Sequence, residues 1–328
     1  MKKYFISGAT GFIGSQLALY LAEKGNMVHA LFRSEEKAKL LQHKNIKLFK
    51  GDILDLDSIQ KAVKGCDGVF HVAAFAKVWV PDPSEIYHLN IDGAMNVINA
   101  SLVAGVKKIV LTSTAGVLGS SDNSELDESA KADKLFIHYE HSKMILEKTV
   151  KTLCDSGANI VIVNPSRVYG PGNLSESNGV TRMINSYLEG KWRVIPGNGR
   201  SIGNYVFIDD VVKGHVLAME KGVAGERYIL GGENSDYNRF FEILADESGV
   251  KHRLFHLPLF VMLSFSWVLM LLARSFKVSP LIIPALVRKF NHNFPLSSRK
   301  AEKELGYKPL SLREGIKKTI EWLQKNEK

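Results

Sequence analysis

Apolar residues in the first half of the chain fall into short runs that alternate with stretches of helical spacing. The first run, residues 4–6, is typical of a buried strand, and Leu17, Leu21 and Ala22 then recur at the spacing of a helix that ends near Gly25. The same pattern predicts further strands at residues 27–32, 46–52, 68–74, 108–112 and 159–164, and helices at residues 57–64, 90–104 and 136–153. Such an alternation predicts an α/β fold with a parallel, doubly wound Rossmann sheet and ligands at the carboxyl ends of its strands.

The alternation loosens from about residue 173. A helix at 181–189, a glycine-rich loop at 196–200 and a strand at 205–208 follow in less regular order. We therefore predict a Rossmann core over residues 1–172 and a smaller, mixed α/β lobe over residues 173–328. The strand around residues 205–211 is expected to return to the core.

An apolar helical segment is predicted at residues 257–287. Residues 257–273 carry no charge, but a spanning helix needs ~20 apolar residues, and Pro258 and Ser264 weaken the pattern further, so spanning is not expected. Three interpretations stay open: a buried helix pair that lines an apolar substrate pocket, which we favour, a monotopic patch on a membrane, or a subunit interface. The cations that would assist a membrane contact are Arg274, Lys277, Arg288 and Lys289.

Composition narrows the class of protein. The 328 residues are 45% hydrophobic with a net charge of +9, which allows a large core and indicates solvated basic helix faces with attraction for an anionic cofactor. Nucleic-acid binding is not expected, because no basic face is interleaved with aromatic residues. Cys66 and Cys154 lack metal or redox spacing, and the first residues do not read as a signal peptide. We expect a cytoplasmic protein without a bound metal, with membrane association left open.

Three glycines lie between the first predicted strand and helix. Gly8 allows a tight turn, Gly11 lets the backbone approach a pyrophosphate, and Gly14 lets helix and strand pack closely. The helix amino terminus would then direct backbone amides and a positive dipole at the phosphates. This stretch predicts a dinucleotide site.

The end of the second predicted strand indicates which dinucleotide is bound. An acidic residue that binds the ribose of NAD is usual there, ~20 residues after the glycines, but this chain has Arg33, with Lys37 close behind. A guanidinium can pair with the 2′-phosphate of NADP, whereas a carboxylate would repel it. The predicted cofactor is NADP(H).

Tyr139 and Lys143 are four residues apart on one face of a predicted helix. The lysine ammonium is expected to lower the pKa of the phenol from ~10 toward the working range, so that Tyr139 can exchange a proton. Thr114, at the end of a neighbouring strand, offers a hydroxyl to a substrate carbonyl. With a nicotinamide at the same strand ends, this set predicts hydride transfer to or from a carbonyl carbon.

Taken together, these motifs resemble the extended short-chain dehydrogenases/reductases. The resemblance covers nearly the whole chain and rests on residues 8–14, 51–52, 71–74, 90, 112–114, 139 with 143, 168–172, 207–211 and 298–309. It implies that Thr114, Tyr139 and Lys143 are catalytic, and that the core carries the cofactor while the lobe binds substrate. It also implies a homodimer by analogy.

The expected ligand contacts form two sets. Those expected at the cofactor are Gly8, Thr10, Gly11, Phe12, Ile13, Gly14, Arg33, Lys37, Asp52, Ile53, Ala73, Ala74, Asn90, Tyr139, Lys143, Pro165 and Val168. Those expected at the substrate are Ala76, Thr114, Asn164 and Tyr205.

Departures from the family's motifs indicate which branch of the extended short-chain dehydrogenases/reductases this chain resembles. Sugar-nucleotide dehydratases carry an Asp-Glu pair after the catalytic hydroxyl, where this chain has Ala115 and Gly116. Many nucleotide-sugar epimerases have Arg-Asp-Phe, whose arginine clamps a diphosphate, where residues 203–205 are Gly-Asn-Tyr. Residues 204–211 look instead like the dihydroflavonol reductase and 3β-hydroxysteroid dehydrogenase branch, which implies an NADP(H)-dependent oxidoreductase that interconverts a ketone and a secondary alcohol. The apolar segment at 257–287 favours an apolar substrate, such as a dihydroflavonol, a sterol or a β-keto acid. The alternatives are a sugar or sugar-lipid epimerase with retained cofactor, and a non-catalytic NADP-sensing protein.

Overall fold

Strands and helices alternate from the amino terminus as the sequence predicts. The computed structural model describes residues 1–276 and 278–326. The strands are β1 (Lys3–Ser7), β2 (Met27–Phe32), β3 (Ile46–Lys50), β4 (Gly68–His71), β5 (Lys108–Thr112), β6 (Ile160–Pro165), β7 (Arg167–Tyr169), β8 (Val194–Pro196), β9 (Ile202–Phe207), β10 (Arg227–Leu230), β11 (Glu233–Asp236) and β12 (Phe255–Leu257). The α-helices are α1 (Phe12–Glu23), α2 (Glu35–Ala38), α3 (Leu56–Val63), α4 (Ser84–Tyr87), α5 (Gly93–Val103), α6 (His138–Asp155), α7 (Gly179–Leu188), α8 (Ile208–Lys221), α9 (Tyr237–Ser248), α10 (Leu259–Phe276), α11 (Pro284–Lys289) and α12 (Leu312–Asn326).

The central sheet has seven strands in the order β10-β6-β5-β4-β1-β2-β3, all paired in parallel. The chain begins in the middle at β1, runs outward to β3 and then returns to β4 on the other side, so the direction of winding reverses between β1 and β4. Ligands of such sheets bind at this reversal, outside the carboxyl ends of the strands. The predicted doubly wound Rossmann fold is confirmed.

Both faces of the sheet are covered. Phe5 and Ile6, neighbours on β1, are fully buried and belong to two different hydrophobic clusters. Successive side chains of a strand point to opposite faces, so a strand buried on both faces reads as a continuous apolar run. This is why residues 4–6 could be recognised as a strand from the sequence.

The strand predicted near residues 205–211 packs against the core but does not join the central sheet. β9 pairs in parallel with β7 and antiparallel with β11, and these form a separate three-stranded sheet. The strand that returns to the central sheet is β10, which pairs with β6. Val206 and Ile208 are nevertheless buried, because α8 follows β9 directly and packs on the central layer. Their apolar pattern reports burial and does not identify the partner strand.

The apolar segment forms α10 and α11, which contact one another. Ser266, Met270 and Ala273 are buried along one narrow face of α10, but the opposite face is exposed, with Phe260 at 73% and Leu271 at 63% of their full accessibility. Of the favoured interpretation, a buried helix pair that lines an apolar pocket, the structure agrees with the lining, because Val261, Phe265 and Leu286 face a cavity, but the outer face of α10 is not buried. No helix within residues 1–276 and 278–326 has the length and apolarity to span a bilayer. Lys277 and the side chain of Arg274 lie outside the described residues.

Candidate active site

The glycine turn between β1 and α1 leaves no room for side chains. Gly8 has φ +76°, and a Cβ on it would lie 2.5 Å from the backbone nitrogen of Ala73. A Cβ on Gly14 would lie 2.1 Å from the carbonyl oxygen of Gly8. Gly11, the N-cap of α1, makes no side-chain capping hydrogen bond. Because these glycines carry no side chains, a ligand can approach the backbone amides at the amino terminus of α1. Such amides fit the phosphates of a dinucleotide.

A cavity of about 1130 Å³ runs from this turn past the carboxyl ends of the central strands to α10 and α11. The predicted site residues that line it are Gly8, Thr10, Gly11, Phe12, Ile13, Gly14, Arg33, Lys37, Ile53, Ala73, Ala74, Ala76, Thr114, Tyr139, Pro165, Val168 and Tyr205. The structure thus brings the glycine turn, the strand-end hydroxyl and the helix phenol to one space. Four predicted residues do not line the cavity: Asp52, Asn90, Lys143 and Asn164.

Arg33 and Lys37 lie where the cavity meets the end of β2. Arg33 Nη1 is 3.3 Å from Asp52 Oδ2, and the arginine side chain is 69% exposed. An exposed pair of this kind contributes little stability, so Arg33 can exchange this carboxylate for a phosphate at small cost. Asp52 therefore acts on this end of the cavity through Arg33.

Tyr139 differs from expectation in its protonation. Burial, reinforced by the carboxylate of Glu140, raises the pKa of Tyr139 above its ordinary value of 10.0. The expected lowering by Lys143 is wrong for the protein alone, because Lys143 is itself buried and its Nζ donates to the carbonyl oxygen of Thr112 at 2.9 Å. Burial lowers the pKa of Lys143 to about 8, although Glu147 opposes this. At neutral pH the phenol carries its proton and is a proton donor.

Thr114 caps the short helical turn that follows β5. Its Oγ1 accepts a hydrogen bond from the backbone nitrogen of Gly116 at 3.2 Å. The hydroxyl hydrogen is therefore free to be donated into the cavity, since one group is both donor and acceptor. This geometry suits a hydroxyl that donates to a substrate oxygen.

The prediction that Asn164 faces the substrate is wrong. Asn164 is fully buried, and its Nδ2 donates to the carbonyl oxygen of Thr114 at 3.0 Å and to Oε1 of Glu147 at 2.7 Å. The residue lies on β6, next to β5, and its side chain reaches the backbone that follows β5 and not the cavity. Its role is to position the strand end that carries Thr114.

Asn90 holds two walls of the cavity together without lining it. Its Oδ1 accepts from the backbone nitrogen of Phe75 at 2.7 Å, and its Nδ2 donates to Ser142 Oγ at 3.0 Å. Ser142 Oγ in turn donates to the carbonyl oxygen of Tyr139 at 2.8 Å. The segment after β4 and the helix that bears Tyr139 are thereby joined.

Sequence reasoning missed two serines at the cavity. Ser113 and Ser166 line it, and each has a buried Oγ without a hydrogen-bond partner among the described residues. Buried hydroxyls without a partner are costly and call for a ligand or water. Their position directly after buried strands was the available signal. Together with the glycine turn they fit the polar groups of a nicotinamide dinucleotide.

A further cation lines the cavity at the start of β7. Arg167 Nη1 donates to the hydroxyl oxygens of Tyr205, at 3.1 Å, and Tyr237, at 3.3 Å. A Cβ on Gly203 would lie 2.3 Å from that Nη1. Gly203 thus supplies no arginine of its own, but the guanidinium of Arg167 occupies the space beside it.

A family profile, curated proteins and solved structures each match most of this chain. A family profile described as the NAD dependent epimerase/dehydratase family matches residues 4–231. A protein of Synechocystis sp. named for dihydroflavonol 4-reductase is 31% identical over 328 residues, which cover 98% of this chain and 94% of that protein. Sterol demethylase protein B of Methylococcus capsulatus is 28% identical over 324 residues, 97% of each chain. The structure of a UDP-glucose 4-epimerase from Thermotoga maritima, solved with UDP-glucose, has a TM-score of 0.82 at 25% identity and covers 99% of this chain and 100% of that one.

Proposed function

The chain belongs to the NAD-dependent epimerase/dehydratase family, within the extended short-chain dehydrogenases/reductases, and from this premise we propose that it is an NADP(H)-dependent oxidoreductase that interconverts a ketone and a secondary alcohol on an apolar small molecule. The observation that carries the proposal is the meeting of Tyr139, Thr114 and the glycine turn in one cavity. Members of the family use a nicotinamide cofactor.

The protein's own groups suit ketone reduction. When bound, the nicotinamide supplies the hydride. The Thr114 hydroxyl donates a hydrogen bond to the substrate oxygen, and the phenol of Tyr139, protonated at neutral pH because burial raises its pKa, donates the proton to that oxygen. Lys143 supports the reaction by fixing α6, which carries Tyr139, to the end of β5.

Two features of the cavity support the preference for NADP(H) and an apolar substrate. Arg33 and Lys37 place positive charge at the end of β2, which favours the phosphate of NADP(H) over the bare ribose of NAD. The far end of the cavity is lined mainly by apolar side chains, including Trp192, Val261 and Phe265, which favours an apolar substrate.

The test is steady-state oxidation of NADPH, followed by absorbance, with a panel of sterol, flavanone and linear ketones. Saturable consumption with at least one ketone, and much slower consumption with NADH, supports the proposal. Lack of consumption with every ketone, together with absent NADP⁺ reduction by the matching alcohols, contradicts it.

An epimerase with retained cofactor is the second candidate. It is supported by the likeness to the Thermotoga epimerase and by the positive charge that Arg167 brings beside Gly203. An epimerase consumes no NADPH overall, so conversion of a UDP-sugar into its epimer without net absorbance change would favour it over the reductase.

A further inference from the structure

We propose that the substrate carries a carboxylate, which Arg167 binds inside the cavity. This inference rests on the proposed function, because it concerns the substrate of that reaction. Arg167 lines the cavity together with Tyr205 and Tyr237.

The guanidinium of Arg167 uses only part of its hydrogen-bonding capacity within the protein. Its Nη1 donates to two tyrosine hydroxyls, and its carbon atom lies 5.3 Å from the centre of the Tyr205 ring and 5.8 Å from that of Tyr237. These two bonds account for both hydrogens of Nη1. Nε and Nη2 make no hydrogen bond within the described residues, and neither is among the buried atoms that lack a partner. These two nitrogens therefore keep some accessible surface, in a residue that lines the cavity.

Arg167 also lacks a counter-ion. No carboxylate oxygen of residues 1–276 and 278–326 lies within 4.0 Å of its guanidinium nitrogens, the limit for an ion pair. By contrast, Lys289, which lines the same cavity, is paired with the buried carboxylate of Glu140. A partly buried cation without a counter-ion is costly unless a ligand compensates its charge.

The remaining donors match a carboxylate. Nε and Nη2 lie on one edge of the planar guanidinium and can bind the two oxygens of one carboxylate in parallel. One unpaired guanidinium balances one negative charge, so a monoanion fits better than a diphosphate. Gly203 is part of this arrangement, because a side chain there would displace the guanidinium.

The proposal is tested by binding to the enzyme saturated with NADP⁺, in which a ketone cannot be turned over. The probes are matched pairs of a keto carboxylate and its carboxamide on a linear, an aromatic and a steroid skeleton, with a phosphate monoester of the aromatic ketone as a third member. For at least one skeleton we expect the wild type to bind the carboxylate tenfold or more tightly than the amide. The preference should disappear in Arg167→Met, return in part in Arg167→Lys, and weaken in Gly203→Ala.

Controls keep this readout separate from folding and from the proposed reaction. NADPH affinity and thermal midpoint of the Arg167 variants should stay close to those of the wild type. No preference for any carboxylate in the wild type, a preference that survives in Arg167→Met, or tighter binding of the phosphate than of the carboxylate would each overturn the inference. NADPH-dependent reduction of a neutral ketone would leave the proposed function standing in all three cases.

A second inference rests on the outer face of α10, which we propose binds an anionic membrane surface. Phe260, Phe265, Val268, Leu271 and Phe276 are each more than half exposed. Contiguous exposed apolar surface of this kind marks an interaction site, and a helix with aromatic and leucine residues outward is typical of interfacial binding.

Charge and continuity with the cavity indicate a lipid surface. Residues 250–301 contain lysines and arginines but no Asp or Glu. Arg253 before α10 and Arg288 on α11 are exposed, as a surface that meets anionic headgroups requires. Phe265 and Leu281 are exposed and also line the cavity, so the cavity opens on this apolar face and an apolar substrate could enter from the bilayer.

The test is cosedimentation of the full chain with vesicles of phosphatidylcholine alone or with added phosphatidylglycerol. We expect binding to the anionic vesicles that weakens at high salt and falls at least tenfold in the double variant Phe260→Ser, Leu271→Ser. The control Val103→Ser removes an apolar side chain that is 83% exposed on α5 and should bind as the wild type does. Equal binding by the double variant, or a wild-type dimer that the double variant dissociates without any vesicle binding, would overturn the inference.

Discussion

Lys143 directs its ammonium group at the backbone carbonyl of Thr112, with Nζ 2.9 Å from the oxygen. The bond joins α6 to the end of β5. Lys143 lies one helical turn after Tyr139, and Thr112 lies two residues before Thr114. The lysine thus fixes the distance between the two elements that carry the hydroxyl groups of the site.

Replacing Tyr139 by Phe removes the proton donor and leaves the ring. We expect turnover with any accepted ketone to fall between about a hundredfold and ten-thousandfold, the usual contribution of a general acid. Affinity for NADPH, measured by fluorescence titration, should change little. Tyr20→Phe on α1, outside the cavity lining, is the control. Turnover of Tyr139→Phe within tenfold of the wild type would contradict the proposed chemistry.

Replacing Lys143 by Met should change how stability depends on pH. Burial lowers the pKa of Lys143 to about 8 from 10.5, so between these values the unfolded chain binds more protons than the folded one. Stability from this group therefore rises with pH over that range, and its cost is fully present below pH 8. The difference in thermal midpoint between wild type and variant should shift in favour of the wild type by roughly 2 °C or more between pH 7 and pH 10.

Lys148→Met is the matched control for that experiment, because Lys148 is exposed on the same helix. Its difference from the wild type should stay nearly constant over the same pH range. A constant difference for Lys143→Met as well would show that folding does not disfavour the charged form of Lys143.

Replacing Arg33 by Gln should lower affinity for NADPH about tenfold or more and leave affinity for NADH nearly unchanged, because only NADPH carries the phosphate that a guanidinium would bind. Asp52→Asn should have the opposite effect, since it releases Arg33 from its 3.3 Å pair. Lys50→Gln removes a nearby exposed cation that pairs with Glu35, and it serves as the control. Equal losses for both cofactors in Arg33→Gln would argue against an NADP(H) enzyme.

Replacing Gly14 by Ala should destabilise the protein by about 1–3 kcal/mol, the usual cost of overpacking, and weaken NADPH binding. The new Cβ would lie 2.1 Å from the carbonyl oxygen of Gly8, which is backbone and cannot move aside freely. Gly179→Ala at the start of α7 is the matched control, because nothing lies within 4 Å of its Cβ position. Urea unfolding of both variants checks the difference.

The sequence was sufficient for the central sheet and for the meeting of the glycine turn with Thr114 and Tyr139. A strand buried on both faces is a continuous apolar run, and parallel strands end at one edge, so residues that follow them converge there. The sequence did not predict the orientation of Asn164. This residue also lies near a strand end, but its side-chain amide donates to Thr114 and Glu147 and does not face the cavity. The direction of a side chain at such an edge depends on the neighbouring strand, which periodicity does not report.

The pairing of Arg167 with Tyr205 across β7 and β9 has a consequence for comparing relatives. Taken alone, Gly203 indicates the loss of a charged residue, yet a guanidinium from the adjacent strand lies where its Cβ would be. The polarity of the substrate site is therefore better inferred from where charged side chains lie in superposed structures than from residue types at aligned positions. In this chain the bare glycine at 203 and the arginine at 167 together leave one guanidinium at this place, so the two positions have to be interpreted together.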